Sequence, residues 1–204
     1  MSLIRKIIFS MIALVLISAV MPITGYAFTL LTKEQALKDV FGSGYEIVTE
    51  TERLRGETLD RIKERLGGQL VYEQAGSESE KVEEQNKVEF YYAMKDGKKV
   101  GVAVIDTQPG RWGPVEFIIA MDSTPKVKKV AVMSYQEKRG RPIARRSFMQ
   151  QYTGKSTKDP LEVGKDIVGI SGATISSRAA TFSVTKALVL VEEVLLKKKK
   201  GSGE

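Results

Sequence analysis

The spacing of hydrophobic residues along the chain changes from a helical to a strand-like period near residue 88. Before that point, "LLTKEQALKDVFG" and "RGETLDRIKERLGG" have helical spacing, and each stretch ends at glycine. In the first stretch, Thr32 is a candidate N-cap with Gln35 three residues later, the pattern of a capping box. The polar segment 75–87 has no periodicity and predicts a surface loop.

Two β-hairpins are predicted after residue 88. Segments 88–94 and 100–105 flank Asp96-Gly97, a dipeptide typical of two-residue hairpin turns. The stretches "PVEFIIAM" and "KVKKVAVMSY" are separated by "DSTP" and predict the second hairpin. Asp106 and Asp122 each follow a predicted strand, so we expect both to be turn residues. A short helix ended by Gly154 and an irregular connection over 155–168 come next.

The last segment has the most regular helical period in the chain. Its hydrophobic residues predict one buried face, formed by Ala180, Val184, Ala187, Leu188, Val191, Val194 and Leu195. We expect the charged residues to fall mainly on the opposite face: Arg178, Lys186, Glu192 and Glu193. Ser176 or Ser177 is the expected N-cap. Strands grouped together with helices at both ends predict an α+β fold, a mostly antiparallel sheet of hairpins flanked by helices.

The first 27 residues have the features of an export signal. Arg5 and Lys6 precede the apolar run 7–20, and Gly25-Tyr26-Ala27 forms a cleavage pattern before residue 28. The apolar run is shorter than the about 20 residues that a membrane-spanning helix needs. We therefore expect a cleaved signal, with an uncleaved anchor as the alternative, and a protein in the periplasm or on the outer face of the cytoplasmic membrane. The predicted organisation is signal 1–27, helical lead-in and polar loop 28–87, main domain 88–196 and basic tail 197–204.

Composition excludes several classes of chemistry. The chain has no cysteine and no histidine, which rules out disulfides, Cys/His zinc sites, His-ligated haem and Ser-His-Asp catalysis. Of the net charge of +7, two units lie in the signal and a net three in the tail "KKKKGSGE", leaving +2 for the folded body. That small excess argues against nucleic-acid binding. The tail is either a solvated end or a contact for anionic lipid or an acidic partner.

The segment "GISGATISSRAA", residues 169–180, leads into the last helix and is rich in glycine and hydroxyl side chains. A helix N-terminus has unpaired N–H groups and a partial positive charge, and both favour phosphate. Gly169 and Gly172 allow a ligand to approach the backbone closely. From these residues alone, the segment is either a phosphate site or an ordinary serine-rich helix cap.

Residues 171–177, "SGATISS", resemble the attachment motif of the FMN-binding domain family. This family includes the C subunit of the sodium-translocating NADH:quinone oxidoreductase and the G subunit of the Rnf electron-transport complex. In these proteins, an FAD-dependent flavin transferase moves FMN onto the threonine of the motif as a phosphoester. The resemblance implies that Thr174 is the FMN acceptor and that Ser171, Gly172 and Ala173 form the turn recognised by the transferase. Ser176 matches the downstream hydroxyl position.

The resemblance covers about residues 88–196 and is less specific upstream of the motif. It implies that Trp112 and Gly113, in a loop before a strand, lie beside the isoalloxazine ring, whereas packing at the sheet edge explains this tryptophan equally well. Glu137 is implied to hydrogen-bond the ring or the ribityl chain. A cluster of arginines is either a solvated basic loop or a contact for the FMN phosphate or an acidic partner: Arg139, Arg141, Arg145 and Arg146.

The sequence departs from the family pattern at position 168. Family members carry an acidic residue six positions before the threonine, whereas this chain has Val168 there and Asp166 two positions earlier. Either flavin attachment is impaired, or the loop presents Asp166 in place of the missing acid.

The resemblance implies an exported flavoprotein that passes electrons between redox partners, such as a cytochrome and a membrane oxidoreductase subunit, through FMN on Thr174. We identify no catalytic residue and no metal site, which favours an electron-transfer protein or oxidoreductase subunit over a self-sufficient enzyme. Two alternatives stay open: a flavin-dependent reductase component acting on a small acceptor, and a flavin-free exported adaptor.

Overall fold

A computed structural model describes residues 28–73, 86–136 and 143–196, and within these ranges it contains a six-stranded antiparallel sheet with helices on both faces. The strands are β1 (Phe28–Thr29), β2 (Glu46–Arg53), β3 (Lys87–Lys95), β4 (Lys98–Pro109), β5 (Pro114–Asp122) and β6 (Val127–Tyr135). The helices are α1 (Lys33–Phe41), α2 (Gly56–Arg65), α3 (Arg146–Met149) and α4 (Thr174–Leu190). A 3-10 turn, Gln150–Tyr152, extends α3, and a π-helical turn, Val191–Leu196, extends α4. The predicted α+β fold is confirmed.

The turns form where local sequence signals predicted them. Asp96 and Gly97 join β3 to β4 with φ angles of +49° and +70°, as a type I′ hairpin turn requires. Asp122 accepts hydrogen bonds from the backbone N–H of Thr124 at 2.7 Å and from its hydroxyl at 2.5 Å at the start of the β5–β6 loop. The hydroxyl of Thr32 accepts from the N–H of Gln35, and the Gln35 side chain accepts from the Thr32 N–H. The predicted hairpins and the capping box of α1 are therefore correct.

The strand order is β1-β6-β5-β4-β3-β2, and alternate residues of each strand face opposite helical layers. On β4, Val102 and Val104 face the larger core under α2 and α4, whereas Ala103 faces the smaller core. Helix α1 covers the smaller core with four buried residues: Ala36, Leu37, Val40 and Phe41. The sheet is thus buried on both faces, and α4 lies across the middle strands β4 and β5.

The lead-in, predicted to be helical with a polar loop, also contributes two strands to the sheet. Strand β2 pairs with β3 over its whole length, from Glu46 opposite Met94 to Arg53 opposite Lys87. At the other edge of the sheet, β1 pairs with β6. Most of β2 is exposed or half-buried, as is common for a charged edge strand, so its hydrophobic pattern is weak.

Three charged residues lie in the interior, where the predictions did not place them. Lys186 and Glu193, expected on a solvent-facing surface, are 8% and 4% exposed, and Asp106, expected in a turn, is buried inside β4. The Nζ of Lys186 is 2.7 Å from Oδ1 of Asp106. Glu193 accepts hydrogen bonds from Arg61 at 3.0 Å and from Arg65 at 2.9 Å. Burial of these charges is tolerated because each has a partner that the fold brings from far along the chain.

The predicted signal 1–27, the predicted tail 197–204 and most of the polar loop lie outside the described residues. Among the helices that are described, none combines the length and the apolar composition needed to cross a membrane.

Candidate functional site

Helix α4 begins at Thr174, whose side chain is at the surface. Gly172 has a φ of +77°, a left-handed conformation that glycine adopts at little cost, and it turns the chain into the helix. Ala173 is the N-cap residue, and alanine has no side chain that could cap the helix end. The first turn of α4 therefore presents backbone N–H groups and the positive end of the helix dipole close to the Thr174 hydroxyl.

The expectation that Ser176 or Ser177 caps the helix is wrong, because the helix begins before both residues. Ser177 is fully buried and stabilises the turn from the inside. Its Oγ accepts a hydrogen bond from the N–H of Ile170 at 3.1 Å and donates to the carbonyl of Ala173 at 2.9 Å. Ser176 is also buried, at 1% exposure. Neither serine is therefore the N-cap residue, and Ser177 fixes the turn ahead of the helix.

Arg111 and Trp112 lie across a small cleft from this turn. They occupy the loop 110–113 between β4 and β5, which is closed by a 2.9 Å hydrogen bond from the Gly110 N–H to the Gly113 carbonyl. The cleft has a volume of about 110 Å³, and residues 172–176 form its other wall. The Arg111 guanidinium carbon is 5.0 Å from the centroid of the Trp112 ring. A cation and an aromatic ring therefore border the same cleft as Thr174. This combination suits a ligand that has both a phosphate and an organic ring.

Gly113 allows this loop to pack closely against the end of β6. A Cβ built on Gly113 would lie 2.5 Å from the Cβ of Gln136, a distance at which the backbone would have to move. Glycine at this position therefore helps to place Trp112, which is adjacent in the sequence. Arg111 was not selected from the sequence. The signal that could have identified it is its position beside Trp112 in a loop bounded by two glycines.

Asp166 fixes the loop ahead of the turn and is not offered at the surface in place of the missing acid. Lys155 Nζ lies 2.8 Å from its Oδ2, and the N–H groups of Glu162 and Leu161 donate to the carboxylate at 2.8 and 3.2 Å. Burial raises the pKa of this carboxyl, but the hydrogen bonds outweigh burial and hold the pKa below its ordinary value. The side chain that is exposed at position 168 is therefore the valine, which is 75% exposed.

A shallow depression of about 200 Å³ surrounds Val168 on the surface next to the attachment turn. Its lining includes Arg145, Phe148, Gln151 and Ile170. Arg145 and Arg146 of the predicted basic cluster are exposed. The other members of the cluster, and the predicted flavin contact Glu137, lie outside the described residues.

The site thus consists of an exposed hydroxyl at an open helix end, a cleft with a cation and an aromatic ring, and a fixed loop before the turn. Residues 110–189, which contain all three features, match the family model of the FMN-binding domain. Over 110 residues, the chain is 31% identical to the G subunit of the proton-translocating ferredoxin:NAD(+) oxidoreductase complex of Clostridium ljungdahlii. The alignment covers 50% of this chain and 59% of the relative.

These matches confirm the resemblance drawn from the "SGATISS" motif. Residues 110–189 match the FMN-binding domain family, and the cofactor that this match indicates is FMN. The open helix end fits a phosphate, and the neighbouring Arg111 and Trp112 fit the phosphate and the organic part of such a cofactor.

Proposed function

We propose that this protein is an exported electron carrier whose FMN is bound through a phosphoester to the Oγ of Thr174. The observation that carries the proposal is the exposed Thr174 hydroxyl at the start of α4, in the cleft that Arg111 and Trp112 border. The match of residues 110–189 to the FMN-binding domain family supports it. A covalent bond also suits a site outside the cytoplasm, because a dissociated cofactor would be lost there.

The attachment is a phosphoryl-type transfer from FAD, carried out by a separate flavin transferase. The Thr174 oxygen forms a bond to the phosphorus on the FMN side of the FAD pyrophosphate, and the bond from that phosphorus to the bridging oxygen breaks. AMP is the leaving group, and the hydroxyl proton passes to the transferase or to water. Nothing is oxidised or reduced. The N–H groups at the start of α4 and the Arg111 guanidinium, which line the same cleft, would stabilise the charge of the phosphodiester product.

FMN supplies the redox chemistry once it is bound, and the protein holds and orients it. We propose that the predicted contacts act in this role: Ser171, Gly172 and Ala173 as the transferase recognition turn, Ser176 beside the phosphate, and Trp112, Gly113 and Glu137 near the flavin. The role of Ser176 is limited to the inner wall of the cleft, since its side chain is buried.

The redox partners are proposed to be other protein subunits at the outer face of the cytoplasmic membrane. The support is a relative that belongs to a proton-translocating ferredoxin:NAD(+) oxidoreductase complex, together with the predicted signal. The chain spans 59% of that relative's length, so the electron donor and acceptor are to be found by experiment.

Stopped-flow mixing of the reduced protein with cytochromes and with small acceptors distinguishes a carrier from a reductase. Oxidation by a partner protein is expected, and multiple turnovers with a small acceptor alone would favour the reductase.

The test of attachment is the intact mass after coexpression with a flavin transferase. The wild-type protein should exceed its unmodified mass by FMN less one water, and Thr174→Ala should lack the increment. Thr51→Ala changes an exposed hydroxyl on the edge strand β2, outside the site, and should retain the increment. A wild-type protein without the increment would overturn the proposal and favour the flavin-free adaptor.

A further inference from the structure

The segment leading to the attachment turn has no regular secondary structure, and a single side chain pairs with both polar groups of its Val168 backbone. The Oε1 of Gln151 accepts a hydrogen bond from the Val168 N–H at 2.8 Å. The Nε2 of the same side chain donates to the Val168 carbonyl at 3.2 Å. The amide of Gln151 thus occupies the place that a neighbouring strand would take and fixes the backbone six residues before Thr174.

We call these two hydrogen bonds from Gln151 to Val168 the Gln151 clamp. The backbone that carries Gln151 is itself fixed. Tyr152, the next residue, is fully buried, and its hydroxyl lies 2.9 Å from the hydroxyl of Thr181 on α4. Further along the segment, Ser177 binds the N–H of Ile170. Residue 168 is therefore connected to the same helix that carries Thr174, on one side through the Gln151 turn and on the other through the attachment turn.

We propose that Gln151 is a positioning residue for FMN attachment, and this rests on the proposed function. By fixing the Val168 backbone, Gln151 presents the depression around Val168 as a preformed docking surface for the flavin transferase. Continuity supports this occupant, because the depression leads directly into the turn that carries the acceptor hydroxyl. Its exposed side chains include one apolar residue, Val168, beside the cation Arg145 and the hydroxyl of Ser147, which fits an apolar contact flanked by an acidic group on the enzyme.

A preformed surface matters because a flexible segment must be ordered when it binds, and that ordering weakens binding. The clamp acts on the main chain of residue 168, so it operates with valine at this position as it would with an acid. In this protein, recognition of the segment then depends on backbone shape and on Val168, and not on a carboxylate at position 168.

The experiment measures initial rates of FMN incorporation by mass spectrometry against the concentration of the unmodified protein. Gln151→Ala should raise KM by about tenfold, the effect of losing two hydrogen bonds that order the segment, and leave kcat within about twofold. The kcat is expected to hold because Thr174 and the start of α4 are unchanged. Gln150→Ala alters an exposed glutamine one position away and should behave as the wild type.

Amide hydrogen exchange at Val168 gives a second, independent readout. Protection of this amide should be lost in Gln151→Ala and partly kept in Gln151→Glu, whose carboxylate accepts from the Val168 N–H but cannot donate to its carbonyl. A wild-type KM together with lost protection would overturn the role of Gln151 in attachment. Unchanged protection in Gln151→Ala would overturn the clamp itself. An unmodified wild-type protein would instead overturn the proposed function, and the role of Gln151 with it.

Discussion

The two ends of helix α4 differ in whether their polar side chains are exposed or buried in ion pairs. At its first residue, Thr174 is exposed, and the N-cap residue before it is an alanine, which provides no side-chain cap. Three to five turns later, Lys186 and Glu193 are buried and each is paired with a side chain from another element. The beginning of the helix is open to a ligand, whereas its later part is closed by ion pairs.

The difference shows how the helix is used as a support. Lys186 connects α4 to Asp106 of β4, and Glu193 connects the turn after α4 to two arginines of α2. These connections fix the axis of α4 against the sheet and the lead-in. A turn holds a hydroxyl in a well-defined position when it is built on such a fixed element.

The largest effect on stability should come from breaking the buried ion pair that joins α4 to β4. Lys186→Met leaves Asp106 charged and without its cation, and it should lower the free energy of unfolding by about 3–5 kcal/mol. Urea denaturation measures the change. The control is the double variant Lys186→Met/Asp106→Asn, which removes both charges, keeps an oxygen that can accept from Ser183 and Gln108, and should recover a large part of the loss. Equal losses in the single and double variants would contradict the role of the pair.

Breaking the contact between the end of α4 and the lead-in should have a smaller effect. The Glu193 side chain is 2% exposed, but its partners Arg61 and Arg65 are 40% and 32% exposed and can be hydrated when they lose it. We expect Glu193→Gln to cost about 2 kcal/mol, measured by the same denaturation. Glu192→Gln changes the neighbouring, more exposed carboxylate and should cost about 1 kcal/mol or less. A larger loss for Glu192→Gln would mean that the buried carboxylate is not the main connection.

At the open end of α4, the sensitive position is the glycine before the helix. Gly172→Ala places a Cβ at a φ of +77° and should cost about 1 kcal/mol, chiefly from the left-handed backbone. No atom lies within 4 Å of the added Cβ, so a steric clash does not contribute. Gly44→Ala also meets no atom and has no left-handed φ, and it should be nearly neutral. A similar cost at both positions would show that backbone conformation is not the cause at Gly172.

The smallest effect should be a pH dependence of the loop that precedes the open end. The folded-state pKa of Asp166 is lowered, so its carboxylate stabilises the fold above the unfolded pKa of about 4. This contribution should be lost as the pH falls through the lowered folded pKa. Comparing the free energy of unfolding at neutral and acid pH, Asp166→Asn should show a smaller decrease than the wild type. Identical decreases would contradict this assignment.

Most of the fold could be predicted because its signals are local. The capping box of Thr32 and Gln35 and the turn at Asp96-Gly97 each depend on residues within a few positions of one another. The buried charges could not be predicted in this way. Lys186 and Asp106 are 80 residues apart, and periodicity assigns a lysine to the surface without information about a distant partner.

In the candidate site, too, local features could be predicted from the sequence, whereas long-range contacts could not. The motif predicted the surface turn at Thr174, but the start of α4 lies before the two serines expected to cap it, because Ser177 binds the turn from the interior. The placement of Arg111 and Trp112 beside the turn depends on the β4–β5 loop reaching the end of α4. The Gln151 clamp also depends on tertiary structure, since it pairs residues 17 positions apart across a loop.

The central claim is that the open end of α4 carries FMN on one particular hydroxyl. Trypsin should release residues 166–178 as one peptide, because Lys165 and Arg178 are its cleavage points. After coexpression with a flavin transferase, fragmentation of this peptide should locate an increment of FMN less one water on Thr174. An unmodified peptide, or an increment on Ser171, Ser176 or Ser177, would contradict the claim.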